Sequence, residues 1–120
     1  MVENAITDGK RIAQLLSSEL TGLQRGPLSS VTVVQAAPDA EPSPEGTVAY
    51  GIAFDGERIG QVRMFESGVD VEIFVADAAT RAYAADAGFV VETADSGVCV
   101  HVERGAAVKR AVDVLAESLA

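Results

Sequence analysis

The sequence predicts an α+β fold in which helices pack on one mainly antiparallel sheet of about six strands. Two observations carry this prediction. Residues 47–75 have the pattern of three strands joined by the tight turns Asp55-Gly56 and Ser67-Gly68, and apolar stripes with helical spacing lie near both ends of the chain. The predicted order is α-β-β-β-β-α-β-β-α, within a single domain of 120 residues.

The first predicted helix covers residues 8–23. Its apolar stripe consists of Ile12, Leu15, Leu16, Leu20 and Leu23. Asp8, or Thr7 before it, is suited to accept hydrogen bonds from the first-turn amides. We expect Gly26-Pro27 to stop the helix, because Gly favours the left-handed C-terminal conformation and Pro cannot continue a helix.

A β-branched strand is predicted over 30–36, followed by a Pro-rich acidic loop over 37–46. The loop contains three prolines and three acids: Pro38, Pro42, Pro44, Asp39, Glu41 and Glu45. No large apolar residue is present to offset the entropy of ordering it. We therefore expect a mobile segment that adds nothing to the core.

Two-residue turns would set the register of the strands within 47–75. They pair Phe54 with Glu57, Ile52 with Ile59, Tyr50 with Gln61, Val48 with Arg63, Arg63 with Glu72, Val62 with Ile73 and Met64 with Val71. One sheet face is then aliphatic and suits packed helices. The opposite face would carry Val48, Tyr50, Ile52, Phe54, Ile59, Phe65 and Phe74, mixed with Gln61, Arg63 and Glu72.

The second half of the chain completes the fold. Asp77 as N-cap, an alanine-rich stretch and Gly88 predict a short second helix. Alternating residues at 89–93 and 98–103 predict a hairpin, and the apolar stripe of 105–119 predicts the last helix. Whether the middle helix lies on the same sheet face as the other two is left open.

Charge is the strongest compositional signal. The formal net charge is −9, and only Lys10 and Lys109 are lysines. Such a surface is self-repelling, and molar salt screens the repulsion. We therefore predict a halophilic protein of a salt-rich cytoplasm, with an ordinary acidic protein as the alternative. The lack of clustered cations argues against binding to nucleic acid. The sequence contains no apolar run long enough to predict a membrane-spanning segment.

Cys99 and His101 are the only cysteine and histidine, and they lie on one side of a strand with Glu103 next along. A lone cysteine excludes an intrachain disulfide. The two side chains would be roughly 7 Å apart, and no second cysteine or histidine is available to converge on them. We therefore predict no metal and no cofactor, and a half-buried Cys beside a surface His rather than a catalytic pair.

The aromatic sheet face is the feature most suggestive of function, since exposed apolar patches mark interfaces. Its candidate interface residues are Tyr50, Ile52, Phe54, Phe65 and Phe74. A homodimer through this face, coverage by another part of the chain and a ligand groove are all open. Arg58 and Arg63 would project from opposite sides of one strand, with Arg63 paired to Glu72.

The segments TDGKRIAQLLSSELTGL at 7–23 and GAAVKRAVDVLAESL at 105–119, on an acidic background, resemble a family of small uncharacterised proteins of haloarchaea. That resemblance implies a cytoplasmic protein adapted to high salt, and it assigns no role to any residue. The element order is also similar to that of class I type III secretion chaperones, which is an analogy of fold only.

These observations predict a non-enzymatic protein-interaction module, adapted to high salt and acting as a homodimer or on another protein. The alternative is a small-molecule-binding domain or an enzyme with a site near Cys99 and His101.

Overall fold

A computed structural model describes residues 8–22, 26–94 and 97–119. It has the predicted α+β order. The elements are α1 (Gly9–Gly22), β1 (Val31–Val34), β2 (Thr47–Phe54), β3 (Glu57–Met64), β4 (Val69–Ile73), α2 (Ala78–Asp86), β5 (Val90–Ala94), β6 (Gly97–Val102) and α3 (Val108–Leu119), with 3-10 turns at Gly26–Ser30 and Gly105–Ala107. The predicted positions Thr7 and Leu23, and the turn residues Asp95 and Ser96, lie outside the described ranges.

Helices α1 and α2 each begin after an aspartate whose side chain caps the first turn. The Asp8 carboxylate accepts hydrogen bonds from the backbone amides of Lys10 and Arg11, at 2.8 and 3.2 Å. Asp77 accepts one from the Thr80 amide at 3.1 Å. Both side chains satisfy donors that a helix leaves without an internal partner, so both predicted N-caps are confirmed.

The sheet has six strands in the order β1-β2-β3-β4-β6-β5, and every neighbouring pair is antiparallel. The pairing of β4 with β6 joins strands β1 to β4 to the hairpin formed by β5 and β6. β1 and β5 are the two edges of the sheet.

The register of β2 with β3 differs from the predicted one in its centre. Phe54–Glu57 and Val48–Arg63 pair as predicted, but Ile52 lies opposite Gly60 and Tyr50 opposite Val62. An extra residue, Ile59 in β3, shifts the register by one, and a second, Ala49 in β2, restores it. The predicted pairs Ile52–Ile59 and Tyr50–Gln61 are therefore wrong.

The second hairpin, β3 with β4, is displaced by two residues from the prediction. Val62 pairs with Val71, Arg63 with Asp70 and Met64 with Val69, so residues 65–68 form the connection. A shift of two keeps every side chain on its predicted face, because side chains alternate along a strand. The error in this hairpin changes partners and leaves the faces intact.

The core lies between the helices and one face of the sheet. It includes the fully buried Ile12, Leu16, Leu20, Ile52, Val62, Ile73, Val100, Val112 and Leu115. The middle helix, α2, packs against α3 and β5, so it lies on the same side as the other two. At the start of α1, a side chain on Gly9 would meet the backbone oxygen of Phe65, which explains why a glycine docks there.

The 37–46 segment makes more contacts than predicted. It has no regular secondary structure, but the Ala37 amide donates to the Ala49 carbonyl at 2.9 Å, and Ala40 packs against the core. Lys10 on α1 forms an ion pair with Glu41 at 3.1 Å. The expectation that this segment contributes nothing to packing is wrong for Ala40.

Candidate functional site

Two rows of side chains cross the face of the sheet that the helices leave uncovered, which we call the open face. One row comprises Gln61, Glu72, Cys99 and Glu92, and the next comprises Arg63, Asp70, His101 and Val90. Members of a row lie directly opposite each other on neighbouring strands. The alternating residues Val62, Val71 and Val100 are fully buried on the helix side, which defines the two faces.

The bulges in β2 and β3 are the reason that this face is polar. They turn Tyr50 and Ile52 to the helix side, where Tyr50 is 5% exposed and Ile52 is not exposed at all. The Tyr50 hydroxyl donates to the Ala13 carbonyl of α1 at 2.7 Å. Burial raises the pKa of this phenol well above its ordinary value. The placement of Tyr50 and Ile52 on an exposed aromatic face is therefore wrong.

The other predicted interface residues do not form one surface with them. Phe54 is half-buried and packs against the core, Phe65 is half-buried, and Phe74 is 36% exposed. Among the described residues, the exposed large apolar side chains are Phe74, Val75, Tyr83 and Val90. Tyr83 lies on α2 and Val90 on β5, so exposed apolar groups are distributed over several elements.

His101 is held between two carboxylates. Its Nδ1 is hydrogen-bonded to Asp70, directly opposite on β4, and its Nε2 lies 3.4 Å from Glu92 Oε1 on β5. Burial tends to lower the pKa of His101, but the hydrogen bond and charge of Asp70, with those of Glu92, outweigh it. The net effect raises the pKa of His101 and favours the imidazolium.

Cys99 lies beside this pair, two residues before His101 on β6. Burial, then the charges of Asp70, Glu72 and Glu92, raise the pKa of Cys99 to about 12. A thiol held in its protonated form is a poor nucleophile. Burial and the neighbouring carboxylates thus disfavour a thiolate nucleophile at Cys99.

No second cysteine or histidine is present to converge on Cys99 and His101, but a carboxylate does converge on them. Donor atoms of Asp70, Cys99 and His101 all lie within 4.8 Å of one another, and all three residues are half-buried. Sequence reasoning missed Asp70 because it considered only a second cysteine or histidine. The only available signal was that Asp70 and Glu72 alternate on a predicted strand, and that pattern does not show which strand pairs with it.

A chain of hydrogen bonds passes through Gln61 and Glu72 of the other row. Arg58 donates to Gln35 at 2.7 Å and to Gln61 at 2.6 Å, and Gln61 donates to Glu72 at 2.7 Å. Arg63 Nε lies 3.5 Å from the same Glu72, so the predicted ion pair forms, although diagonally. Arg58 and Arg63 both reach open-face partners, which corrects their placement on opposite sides.

Two surface depressions border His101. One, of about 280 Å³, is lined by His101, Glu103, Arg104, Arg110 and Phe89 among others. The second, of about 330 Å³, is lined by Asp70, His101 and Glu103, with Phe65, Ser67 and Gly68 of the β3–β4 connection among others. Arg110 is fixed in the first depression, because its guanidinium lies over the Phe89 ring and donates to the Ala87 carbonyl at 3.1 Å.

These features define an α+β protein with one helix-covered sheet face and one open polar face. The family model described as a family of unknown function (DUF7993) matches residues 1–120, and the chain belongs to that family. Comparison with curated proteins and with solved structures found no match. In the part of the chain that is described, no helix has the length and apolar character needed to cross a membrane.

Proposed function

We propose that this protein is a non-enzymatic binding domain for a small anionic molecule, with its site at the His101 end of the open face. The observation that carries the proposal is the depression lined by His101, Arg104 and Arg110. Three cationic or protonatable groups gather there in a chain whose net charge is −9. Carboxylate and phosphate oxygens are the natural partners of guanidinium groups.

The surroundings favour binding over catalysis. The nearest nucleophile, Cys99, is a protonated thiol, and Arg110 is already fixed by the Phe89 ring and the Ala87 carbonyl. A fixed guanidinium loses little entropy when an anion binds. Arg104 is exposed and its side chain does not cap the following 3-10 turn, so it is free to close on a ligand.

Titration of ¹⁵N-labelled protein with citrate and with inorganic phosphate tests this proposal. We expect the amide resonances of residues 103–107 and His101 to shift saturably, and Arg104→Gln to weaken binding. Arg11→Gln, on the exposed surface of α1, is the control that changes the same charge elsewhere. Equal affinities for the two variants, or no shift at this end of the sheet, would contradict the proposal.

A homodimer is a second candidate, because the sheet ends in an edge strand that carries an exposed apolar residue. Among the described strands, β5 pairs only with β6, and its Val90 is 60% exposed. An open edge offers unpaired backbone groups to a second strand, and two copies of β5 would pair isologously. Light scattering in molar KCl is expected to give a dimer, and Val90→Asp a monomer, whereas Val75→Asp should leave the dimer intact. A monomeric wild type would exclude this mode.

We further propose that the protein works in the salt-rich cytoplasm of a haloarchaeon. The support is its net charge of −9 with two lysines among nine cations. A surface of this kind is tolerable when dissolved salt screens its repulsion.

A further inference from the structure

We propose that Asp70, Cys99 and His101 form a binding site for a first-row transition metal ion, and that Zn²⁺ is the ion the donor set suits best. This goes beyond the proposed anion binding and does not depend on it. The two sites share His101, but the metal site also needs Asp70 and Cys99, whereas the anion site depends on Arg104 and Arg110.

The pairing of β4 with β6 builds the site. Asp70 lies directly opposite His101, and Cys99 is two residues earlier on β6, so all three side chains project from the same side. Their side chains are shielded but reachable, with Asp70 17% and His101 24% exposed. Because the donors stand on two hydrogen-bonded strands in the centre of a sheet, their backbone positions are fixed before any ion arrives.

The donor set is selective. Sulfur, imidazole nitrogen and carboxylate oxygen together are typical of zinc sites, whereas Ca²⁺ and Mg²⁺ take oxygen ligands. Zinc–ligand bonds of about 2.0–2.3 Å place tetrahedral donors roughly 3.3–3.8 Å apart. The donors here lie within 4.8 Å of one another, so small rotations of the side chains suffice to close the site. The thiol proton of Cys99 and the Nδ1 proton of His101 pass to solvent as these two atoms bind the ion.

Two further carboxylates have distinct places. Glu92 lies 3.4 Å from His101 Nε2, where it can accept the Nε2–H and leave Nδ1, which faces Asp70, for the ion. Such an outer carboxylate orients a metal-binding imidazole. Glu72 is engaged by Gln61 and Arg63, so it is not counted as a ligand. Three protein ligands leave one coordination position for water or a small molecule.

Titration of the full chain with Co²⁺, followed by competition with Zn²⁺, tests this site. A sulfur-to-cobalt charge-transfer band should rise to saturation at one ion per chain, and Zn²⁺ should abolish it. Cys99→Ser should remove the band. Asp70→Asn and His101→Gln should weaken Co²⁺ binding by at least about 10-fold, and Glu92→Gln by about 10-fold, the loss typical of an outer-shell partner. Asp113→Asn, an exposed position on α3, is the matched control and should bind as wild type.

Some outcomes would overturn the proposal. No charge-transfer band in the folded wild type would do so, and so would a band that persists in both Asp70→Asn and His101→Gln, which would indicate a thiol adduct only. Circular dichroism of each variant establishes that it is folded. Arg104→Gln should leave Co²⁺ binding unchanged, and Cys99→Ser should leave citrate and phosphate binding unchanged, so failure of either site is recognised separately.

Discussion

Replacing Tyr50 with phenylalanine removes one buried hydroxyl and tests the register of the sheet. The hydroxyl donates to the Ala13 carbonyl at 2.7 Å, and the residue is 5% exposed. Had the central pairs followed the two-residue turn throughout, Tyr50 would lie on the open face and the substitution would have little effect. The stability of Tyr50→Phe therefore distinguishes the two arrangements directly.

The expected loss is about 1 kcal/mol. A typical intramolecular hydrogen bond contributes about 0.5–1.5 kcal/mol net, and the Ala13 carbonyl, which retains its helical bond, is not left without a partner. For a domain of this size, that loss lowers the melting temperature by roughly 3–5 °C. Tyr83→Phe is the control, because Tyr83 is 41% exposed on α2 and should change stability by less than about 0.5 kcal/mol.

Alkaline unfolding gives a second readout of the same substitution. Burial raises the pKa of Tyr50 above its ordinary value of 10.0, so the unfolded chain loses this proton first as pH rises. The contribution of Tyr50 to the free energy of unfolding is complete below pH 10. Above pH 10 it decreases by about 1.4 kcal/mol per pH unit. Tyr50→Phe should lack that part of the slope in urea denaturation. If Tyr50→Phe matches Tyr83→Phe in both stability and slope, the assignment of Tyr50 to the core is refuted.

Three further predictions concern packing, salt and capping. Gly60→Ala should cost about 1–3 kcal/mol, because its Cβ would lie 2.3 Å from the Glu72 carbonyl oxygen, whereas Gly22→Ala meets nothing within 4 Å; equal urea midpoints would contradict this. The thermal midpoint should rise from low to molar KCl as the net charge of −9 is screened, and a fold indifferent to KCl would count against halophilic adaptation. Capping hydrogen bonds, chiefly that from the Thr80 backbone amide, lower the pKa of Asp77 from 3.8. The contribution of Asp77 to the stability of the fold is therefore present above pH 3.8 and is lost as the pH falls further. Asp77→Ala should accordingly destabilise the protein at neutral pH and not in acid, and Asp86→Ala, at the other end of α2, should show no such pattern.

The sequence predicted what local chemistry decides. Helix starts at Asp8 and Asp77 follow from carboxylates that bond first-turn amides, and the Asp55-Gly56 turn follows from its need for positive φ, which is 52° and 83° in the structure. Of the predicted stripe residues, Ile12, Leu16 and Leu20 in α1 and Val108, Ala111, Val112 and Leu115 in α3 are buried, as the helical spacing indicates. Each of these signals lies within a few residues of the structure that it specifies.

The bulges had no comparable signal. The alternation of side chains alone favoured an uninterrupted hairpin, which would expose Tyr50 and Ile52. In the structure, bulges at Ala49 and Ile59 interrupt the regular pairing of β2 with β3. The gain comes from α1, more than thirty residues away in sequence, where Tyr50 finds the Ala13 carbonyl and an apolar environment. The preference for the bulged register therefore depends on the packing of α1 against the sheet, and the sequence of β2 or β3 alone does not indicate it.

The same division applies to the candidate site. By itself, the sequence determined that Cys99 and His101 share one side of a strand, because side chains alternate. Only the tertiary structure decided that β4 lies beside β6 and brings Asp70 opposite His101, since the pairing of strands distant in sequence depends on the order of the whole sheet. The chemistry at His101 therefore arises from a non-local contact between residues whose own neighbours in the chain give no indication of it.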